Sequence, residues 1–280
     1  MKNSFVRFLQ TPIFFLIALL IPLSQQAQQS GNVYELNWAI DAPVIAGAGA
    51  LTGYGFSMIS EQDPIDDETL AGLSVDGINR FDRSFAGNYS IKAEEHSDIL
   101  FYGAFPYGLI LLLDQEARSE AGTIGTMYVE ALALAAAGYA TAAGNTSRFR
   151  PYVYKFDEPD NQELQDDRRS LHARNSFYGG HPSMVAVSTV FVAKTFHDLN
   201  PDSDLRYALW GVAAASTLTT GYLRVQAGKH FPSDVITGVV ISSSIGFLVP
   251  HLHKRDRKDT ALQILPYTGE HTGILLSKRF

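Results

Sequence analysis

The stretch Gly221-Tyr-Leu-Arg-Val-Gln-Ala-Gly-Lys-His-Phe-Pro-Ser-Asp234 decides how this sequence is interpreted. It separates two apolar segments, and Pro232-Ser-Asp234 is typical of the first turn of a helix, where the helix dipole favours a carboxylate. His230 precedes Asp234 by four residues, so we expect Asp234 to accept a hydrogen bond from one ring nitrogen of His230 and to leave the other free. The stretch therefore predicts a junction between two helices that carries reactive side chains.

Helical signals extend outward from this junction in both directions. Six segments are apolar, rich in Ala, Gly, Val and Leu, and poor in charge. We predict helices at residues 36–60, 97–118, 121–146, 182–198, 204–223 and 234–252. Small residues are frequent in them, so neighbouring helices can approach closely. The sequence therefore predicts an all-α fold, a six-helix bundle, with a short C-terminal hairpin around Gly269.

The amino-acid composition argues against several classes of function. The chain has 280 residues, a formal net charge of −7 and no cysteine. The acidic balance and the lack of a long basic run argue against a nucleic-acid partner. Without cysteine, the chain has no disulfide framework, thiol catalysis, iron–sulfur cluster or cysteine-ligated zinc.

The first 27 residues have the composition of a secretory signal. Lys2 and Arg7 precede a short apolar stretch, and Ala27 offers a cleavage site. An uncleaved N-terminal anchor is the alternative, because Gln25 stands two positions before Ala27 where a small residue is usual. Either interpretation directs the rest of the chain to or across an inner membrane. We expect an exported protein of the cell envelope, periplasmic or membrane-associated, with its site outside the cytoplasm.

The basic run of residues 253–258 limits the membrane topology. If a retained anchor and all six later helices spanned the bilayer, this run would lie outside, against the positive-inside rule. We therefore expect either that one helix does not span or that the bundle is a periplasmic domain close to the membrane.

Polar residues gather at the predicted helix ends in two clusters. If the helices run antiparallel, both clusters lie at the same end of the bundle. The first cluster holds Arg148, Arg150, Gly179, Gly180 and His181, and the second holds Arg224, His230 and Asp234.

This set of residues suits phosphoryl transfer. Guanidinium groups of Arg150 and Arg224 would hold the oxygens of a tetrahedral oxyanion, and the backbone N–H groups of Gly179 and Gly180 would add donors. Imidazole titrates in the range that a nucleophile and a general acid need. We therefore expect His230 to attack phosphorus and His181 to protonate the leaving oxygen.

These residues resemble the signature of the type 2 phosphatidic acid phosphatase family, whose fold is that of the vanadium haloperoxidases and class A acid phosphatases. The family pattern is a lysine seven positions before Arg-Pro, then Pro-Ser-Gly-His, then Ser-Arg followed by five residues, His, three residues and Asp. Matching positions are Arg150-Pro151, Gly180-His181, Arg224, His230 and Asp234.

The resemblance implies a metal-independent phosphatase without a cofactor. It would hydrolyse a phosphomonoester or diphosphate, expected to be a lipid phosphate, through a phosphohistidine at His230 that Asp234 orients. His181 would be the acid, and phosphate contacts would come from Arg150, Gly180 and Arg224. The expected partners are thus a phosphorylated lipid or small phosphoester and the membrane.

Four positions depart from the family pattern. The lysine falls on Ala143, the proline and serine of the second piece fall on Tyr178 and Gly179, and Leu223 replaces the serine before Arg224. We expect Arg148 to replace part of the missing charge and the Gly179 amide to remain a donor. The departures leave open a catalytically weakened or inactive protein that binds phosphate head groups. A vanadium haloperoxidase is a further alternative, tested by vanadate-dependent halide oxidation.

The predicted boundaries divide the chain into four parts. Residues 1–27 are the signal or anchor, and residues 28–94 are the first helix and a polar connecting segment, expected to be a solvated loop. Residues 95–252 form the phosphatase-like helical core, and residues 253–280 the basic stretch and tail. Outside the site, Glu130 and His253 are expected to be structural.

Overall fold

The computed structural model describes residues 32–255 and the backbone of residues 262–268 and 272–278. The predicted signal or anchor at residues 1–27 lies outside the described residues.

The described chain is dominated by α-helices. They are α1 (Trp38–Ser60), α2 (Asp67–Ala71), α3 (Ile91–Tyr107), α4 (Gln115–Ser119), α5 (Ala121–Asn145), α6 (Gln162–Arg169), α7 (Gly180–Leu199), α8 (Leu205–Gln226) and α9 (Pro232–Leu252). Short 3₁₀ helices cover Val75–Gly77, Arg83–Phe85, Gly108–Leu113, Pro151–Tyr154 and Leu171–Arg174. At the C-terminus, β1 (Leu262–Thr268) pairs antiparallel with β2 (Thr272–Lys278), with Leu262 opposite Lys278.

The predicted all-α fold is confirmed, and the six long helices correspond to the six predicted segments. The predicted count of six is not exact, because α2, α4 and α6 are additional short helices. The second long helix also begins earlier than predicted. Ser90 caps it by accepting a hydrogen bond from the Ala93 N–H at 3.3 Å, whereas Ser97 is buried inside the helix.

Helix α7 occupies the centre of the bundle. It packs against α3, α5, α8 and α9, and 15 of its 20 residues are buried. Helix α9 lies directly on it, because a Cβ atom at Gly246 would stand 2.6 Å from the Val187 carbonyl oxygen. Close packing of this kind needs small residues where the backbones meet.

Four helical segments are long and apolar enough to cross a membrane: Trp38–Ser60, Ile91–Leu113, Ala121–Asn145 and Pro232–Leu252. Their large apolar side chains point outward; Ile99 is 69% exposed and Val240 is 59% exposed. Apolar surface of this extent suits a hydrocarbon environment and indicates membrane association.

The polar segment between α1 and α3 differs from the predicted solvated loop. Ile65 and Leu70 are buried against Tyr152, Val153 and Leu164. Residues 61–90 and 150–175 thus form one layer, called here the cap layer, which is stabilised by its own apolar cluster. Asn88 joins this layer to the end of α8 through a hydrogen bond to the Val225 carbonyl oxygen at 3.0 Å.

The opposite end of the bundle is closed by pairing of residues 33–35 with residues 253–255. The Glu35 N–H donates to the His253 carbonyl at 3.0 Å, and the Arg255 N–H donates to the Val33 carbonyl at 2.9 Å. Tyr34 is fully buried in this contact. The start of α1 and the end of α9 are therefore held side by side.

Candidate active site

Four helix ends bring the predicted site residues together under the cap layer. Helix α5 ends shortly before Arg148 and Arg150, α7 begins at Gly180, α8 ends after Arg224, and α9 begins after His230. The antiparallel arrangement expected from the sequence places both clusters at this end.

His230 is enclosed and held in one tautomer. Its side chain is 1% exposed, and Nδ1 lies 2.7 Å from the Ser176 carbonyl oxygen. Because a carbonyl can only accept, Nδ1 carries the proton and Nε2 keeps its lone pair. Burial, together with the charges of Arg150 and Arg224, holds the pKa of His230 well below its ordinary value. The imidazole is therefore neutral, the form that a nucleophile requires.

Asp234 does not make the direct contact with His230 that the sequence predicted. Its Oδ2 accepts hydrogen bonds from the Ser176 hydroxyl at 2.6 Å and from the Phe231 N–H at 2.9 Å, while Oδ1 pairs with Arg148. The reason is local, because Asp234 is the third residue of α9 and caps the start of its own helix. Asp234 is thus connected to His230 through Ser176, a residue that the sequence analysis did not select.

His181 lies in the first turn of α7 and pairs with Asp98 of α3. Its Nε2 is 2.9 Å from Asp98 Oδ1, and its ring stacks on Phe101 at 4.0 Å between centroids. Burial and the nearby charge of Arg224 outweigh Asp98 and lower the pKa of His181 to about 4. Asp98 was missed as a site residue because it was interpreted as a helix start; a carboxylate inside an apolar helix is the signal that could have identified it.

Arg150 and Arg224 present unpaired guanidinium nitrogens. Arg224 is 4% exposed, and its Nη1 contacts Ser97 at 3.2 Å and Asp98 at 3.4 Å. The Nε atoms of Arg150 and Arg224 are buried without a partner among residues 32–255. A buried N–H group without an acceptor is costly, so both side chains are poised for an anion.

Arg148 has contacts other than those expected of a phosphate ligand. Its Nη2 lies 2.7 Å from Asp82, and its Nη1 contacts Asp234 and, at 3.0 Å, Ser233. Burial alone would raise the pKa of Asp82, but hydrogen bonds from Ser233, Asn79 and Arg148 outweigh it and lower that pKa. Arg148 therefore joins the cap layer to the start of α9, and Asp82 is a further residue that the sequence analysis missed.

Gly179 and Gly180, which align with the Pro-Ser-Gly-His piece of the family pattern, differ in whether their backbone N–H groups are free to bind an anion. The Gly179 N–H donates to the Asp234 carbonyl at 3.0 Å, so it is not the free donor that the sequence predicted. Gly180 begins α7, and neither its N–H nor that of His181 has a hydrogen-bond acceptor within the described ranges. The helix dipole adds to these two donors, which makes the start of α7 suitable for an anion.

Ala143 stands where the family has lysine. It is fully buried, one turn beyond Tyr139 on α5, and a Cβ atom at Gly180 would stand 2.9 Å from the Tyr139 ring. Because residues four apart share a helix face, Ala143 lies on the side of α5 that faces the site. The cation expected there is absent from this position.

Comparison with known proteins agrees with the motifs found in the sequence. The family model described as PAP2 superfamily matches residues 125–258. A solved structure with detectable similarity is the first transmembrane PAP2 type phosphatidylglycerolphosphate phosphatase from Bacillus subtilis, at 19% identity and a TM-score of 0.32, over 88% of this chain and 97% of that chain. No curated protein matches the chain. Residues 125–258, which hold His181, His230 and the helices that carry them, are thus the part of the chain that is similar to the PAP2 superfamily.

Proposed function

We propose that the protein hydrolyses a phosphomonoester or diphosphate, with a lipid phosphate as its substrate, through a phosphohistidine at His230. The observation that carries this proposal is the hydrogen bond from Nδ1 of His230 to the Ser176 carbonyl, which leaves a neutral Nε2 as the nucleophile. Arg150 and Arg224, with unpaired Nε atoms, supply the positive charge that a phosphoryl group needs.

The reaction runs in two balanced steps. Nε2 of His230 forms a bond to phosphorus while the bond from phosphorus to the leaving oxygen breaks, and protonated His181 gives its proton to that oxygen. Water then attacks the phosphohistidine, His181 takes a proton from the water, and the P–N bond breaks to release phosphate. Both steps use only side chains of this chain and water.

Asp98 is a positioning residue in this scheme. It touches both His181 and Arg224, at 2.9 and 3.4 Å. Its negative charge favours the protonated form of His181, which a general acid must have before the leaving oxygen departs. A phosphate dianion bound by Arg224 would strengthen the same effect.

A lipid substrate is supported by the outer face of α3. Ile99 and Tyr102 follow Asp98 on this helix and are 69% and 47% exposed. An acyl chain can lie on this apolar face while the phosphate reaches His181, so the head group enters from the side of the bundle.

A second candidate is a protein that binds phosphate head groups without turnover. It is favoured by the fully buried Ala143 at the lysine position and by the Gly179 N–H, which is already bonded to Asp234. Each missing contact to the transition state would lower kcat by about 10²–10³-fold.

Phosphate release by the full chain in detergent, measured with lipid and soluble phosphates, tests the two candidates. The matched pair of variants is His230→Ala and His251→Ala, since His251 is exposed on α9. Release that is lost only in His230→Ala supports the phosphatase, and acid-labile ³²P on the wild type would identify the phosphohistidine. Phosphate binding without release contradicts the phosphatase and supports the binding protein. Halide oxidation with added vanadate would instead indicate the haloperoxidase.

A further inference from the structure

Three acidic and imidazole side chains converge at the end of the bundle opposite His230. Asp41 lies in the first turn of α1, Glu130 in the first half of α5, and His253 directly after α9. One ligand atom from each lies within 4.8 Å of the other two. The cluster is built from three helices that are far apart in sequence, so the fold itself brings it together.

The side chains are buried and their inward atoms are unsatisfied. Asp41 is 3% and Glu130 is 6% exposed. Glu130 Oε2 and His253 Nε2 have no hydrogen-bond partner in the part of the chain that the structure describes. A carboxylate oxygen left in this state inside a bundle is costly, which indicates that a further group belongs between these atoms.

The atoms of His253 and Asp41 that point away from the cluster already have hydrogen-bond partners on the backbone. His253 Nδ1 lies 2.8 Å from the Val249 carbonyl oxygen, so Nδ1 carries a proton and Nε2 is the ring atom that faces the two carboxylates. Asp41 Oδ2 accepts the Asn37 N–H at 2.7 Å, which leaves Oδ1 for the cluster. A backbone carbonyl that orients a histidine through its other nitrogen is the usual outer contact of a metal-binding imidazole.

Two of the three distances between ligand atoms match the edges of a tetrahedral coordination shell. His253 Nε2 lies 3.3 Å from Asp41 Oδ1 and 3.4 Å from Glu130 Oε2. Ligands about 2.0–2.1 Å from a tetrahedral Zn²⁺ are about 3.3–3.4 Å apart, whereas a direct charge-assisted hydrogen bond would be about 2.7–2.9 Å.

Charge points to the same conclusion. Among the ion pairs of residues 32–255, Asp41 and Glu130 pair with His253 alone. With both carboxylates ionised and the imidazole neutral, the cluster would carry two negative charges, which a divalent cation would balance. One imidazole with two carboxylates suits a first-row transition metal better than Mg²⁺ or Ca²⁺, which prefer all-oxygen sites.

We propose that Asp41, Glu130 and His253 bind one divalent transition-metal cation, with Zn²⁺ as the best match, and that water completes the shell. Helix α9 has 21 residues and is about 30 Å long, so this site is well separated from His230 and takes no part in the phosphatase reaction. Its role is to fix the start of α1 to the end of α9. The proposal does not depend on the proposed function.

The test uses the full chain in detergent after removal of any histidine tag. The protein is stripped with a chelator, reloaded with Zn²⁺ or Co²⁺ and dialysed, and bound metal is measured by elemental mass spectrometry. Glu130→Gln and His253→Ala remove ligands, whereas Glu116→Gln and His251→Ala are controls on exposed side chains. We expect one Zn²⁺ per chain in the wild type and both controls, and at least a tenfold lower content in the two ligand variants. Zn²⁺ should also raise the Tm of the wild type but not that of Glu130→Gln.

Three results would overturn the proposal. The first is a wild-type Zn²⁺ content no higher than that of Glu130→Gln, which would mean that a proton on His253 satisfies the cluster. The second is Zn²⁺ binding that persists in both ligand variants. If the ligand variants do not fold, the visible spectrum of the Co²⁺ wild type decides: an intense four- or five-coordinate band supports the site, and only the weak six-coordinate spectrum rejects it.

Discussion

Nδ1 of His230 lies 2.7 Å from the backbone carbonyl oxygen of Ser176, and this contact selects the tautomer of the proposed nucleophile. Because the carbonyl belongs to the main chain, Ser176→Ala keeps it and removes only the hydroxyl that donates to Asp234. We expect Ser176→Ala to lower kcat by no more than about tenfold, the value of one neutral hydrogen bond. His230→Gln should lower kcat by about 10³-fold or more. A folded Ser176→Ala protein as inactive as His230→Gln would contradict this division of roles.

Substitution of Arg148 should lower the stability of the protein, whereas substitution of Arg150 should weaken phosphate binding. Arg148→Gln leaves the buried carboxylates of Asp82 and Asp234 without their cation, so we expect the free energy of unfolding to fall by about 3–5 kcal/mol. The measurement is thermal or denaturant unfolding in detergent.

Arg150→Gln is the matched variant, because its guanidinium Nε has no partner among the described residues. We expect an almost unchanged Tm and a kcat/KM lowered by about 10²–10³-fold, together with weaker inhibition by inorganic phosphate. If Arg148→Gln is stable but loses phosphate binding, the two assignments are reversed.

The pH dependence of kcat/KM should reflect the protonation of His181. Its pKa of about 4 in the free protein means that the protonated fraction falls as pH rises above 4. Since a general acid must be protonated, kcat/KM should decline from acidic pH upward, and kcat should decline at higher pH because bound phosphate stabilises the imidazolium. Protonation of His230 should not lower kcat/KM near pH 6, because its low pKa keeps the imidazole neutral there.

The variant Asp98→Asn tests whether Asp98 influences the pH at which kcat/KM declines. Removing the carboxylate removes a charge that raises the pKa of His181, so the declining limb should move to lower pH. Glu95→Gln, an exposed neighbour on α3, is the control and should leave the profile unchanged. An identical profile for Asp98→Asn would show that Asp98 does not set the protonation of His181.

Restoring two of the missing family residues, the lysine at position 143 and the serine at position 179, should have opposite effects. Ala143→Lys adds a cation on the face of α5 that meets the site, and we expect phosphate release to rise by about 10²-fold. Ala142→Lys, turned to a different face of the helix, should not increase it. If neither lysine variant differs from the wild type, the absence of lysine does not limit the rate.

Gly179→Ser should instead destabilise the protein. A Cβ atom there would stand 2.9 Å from Pro182 Cγ and 3.3 Å from Val235 Cα, so α7 and α9 would have to separate. The expected result is a lower Tm without a gain in turnover. A stable Gly179→Ser protein with higher activity would contradict the packing argument.

The sequence predicted the bundle well because its helices carry local signals: apolar composition, capping residues and small side chains. It also placed His181, Arg224 and His230 at one end, since helix order alone determines which ends meet. It failed where a contact depends on residues distant in the chain. The roles of Asp82, Asp98 and Ser176 follow from long-range contacts to Arg148, His181 and His230. Arg148 was misjudged for the same reason, since its carboxylate partners are visible only after folding.

Helix α7, which carries His181, is enclosed by other helices on nearly all sides. A surrounding bilayer would therefore contact the exposed apolar side chains of α1, α3 and α9 rather than α7, which carries the proposed general acid. A change in bilayer thickness would tilt the outer helices first, whereas the close contact of α7 with Gly246 of α9 resists relative movement of these two helices. The proposed chemical step would thereby depend little on the composition of the membrane, and the entry of substrate would depend on it more.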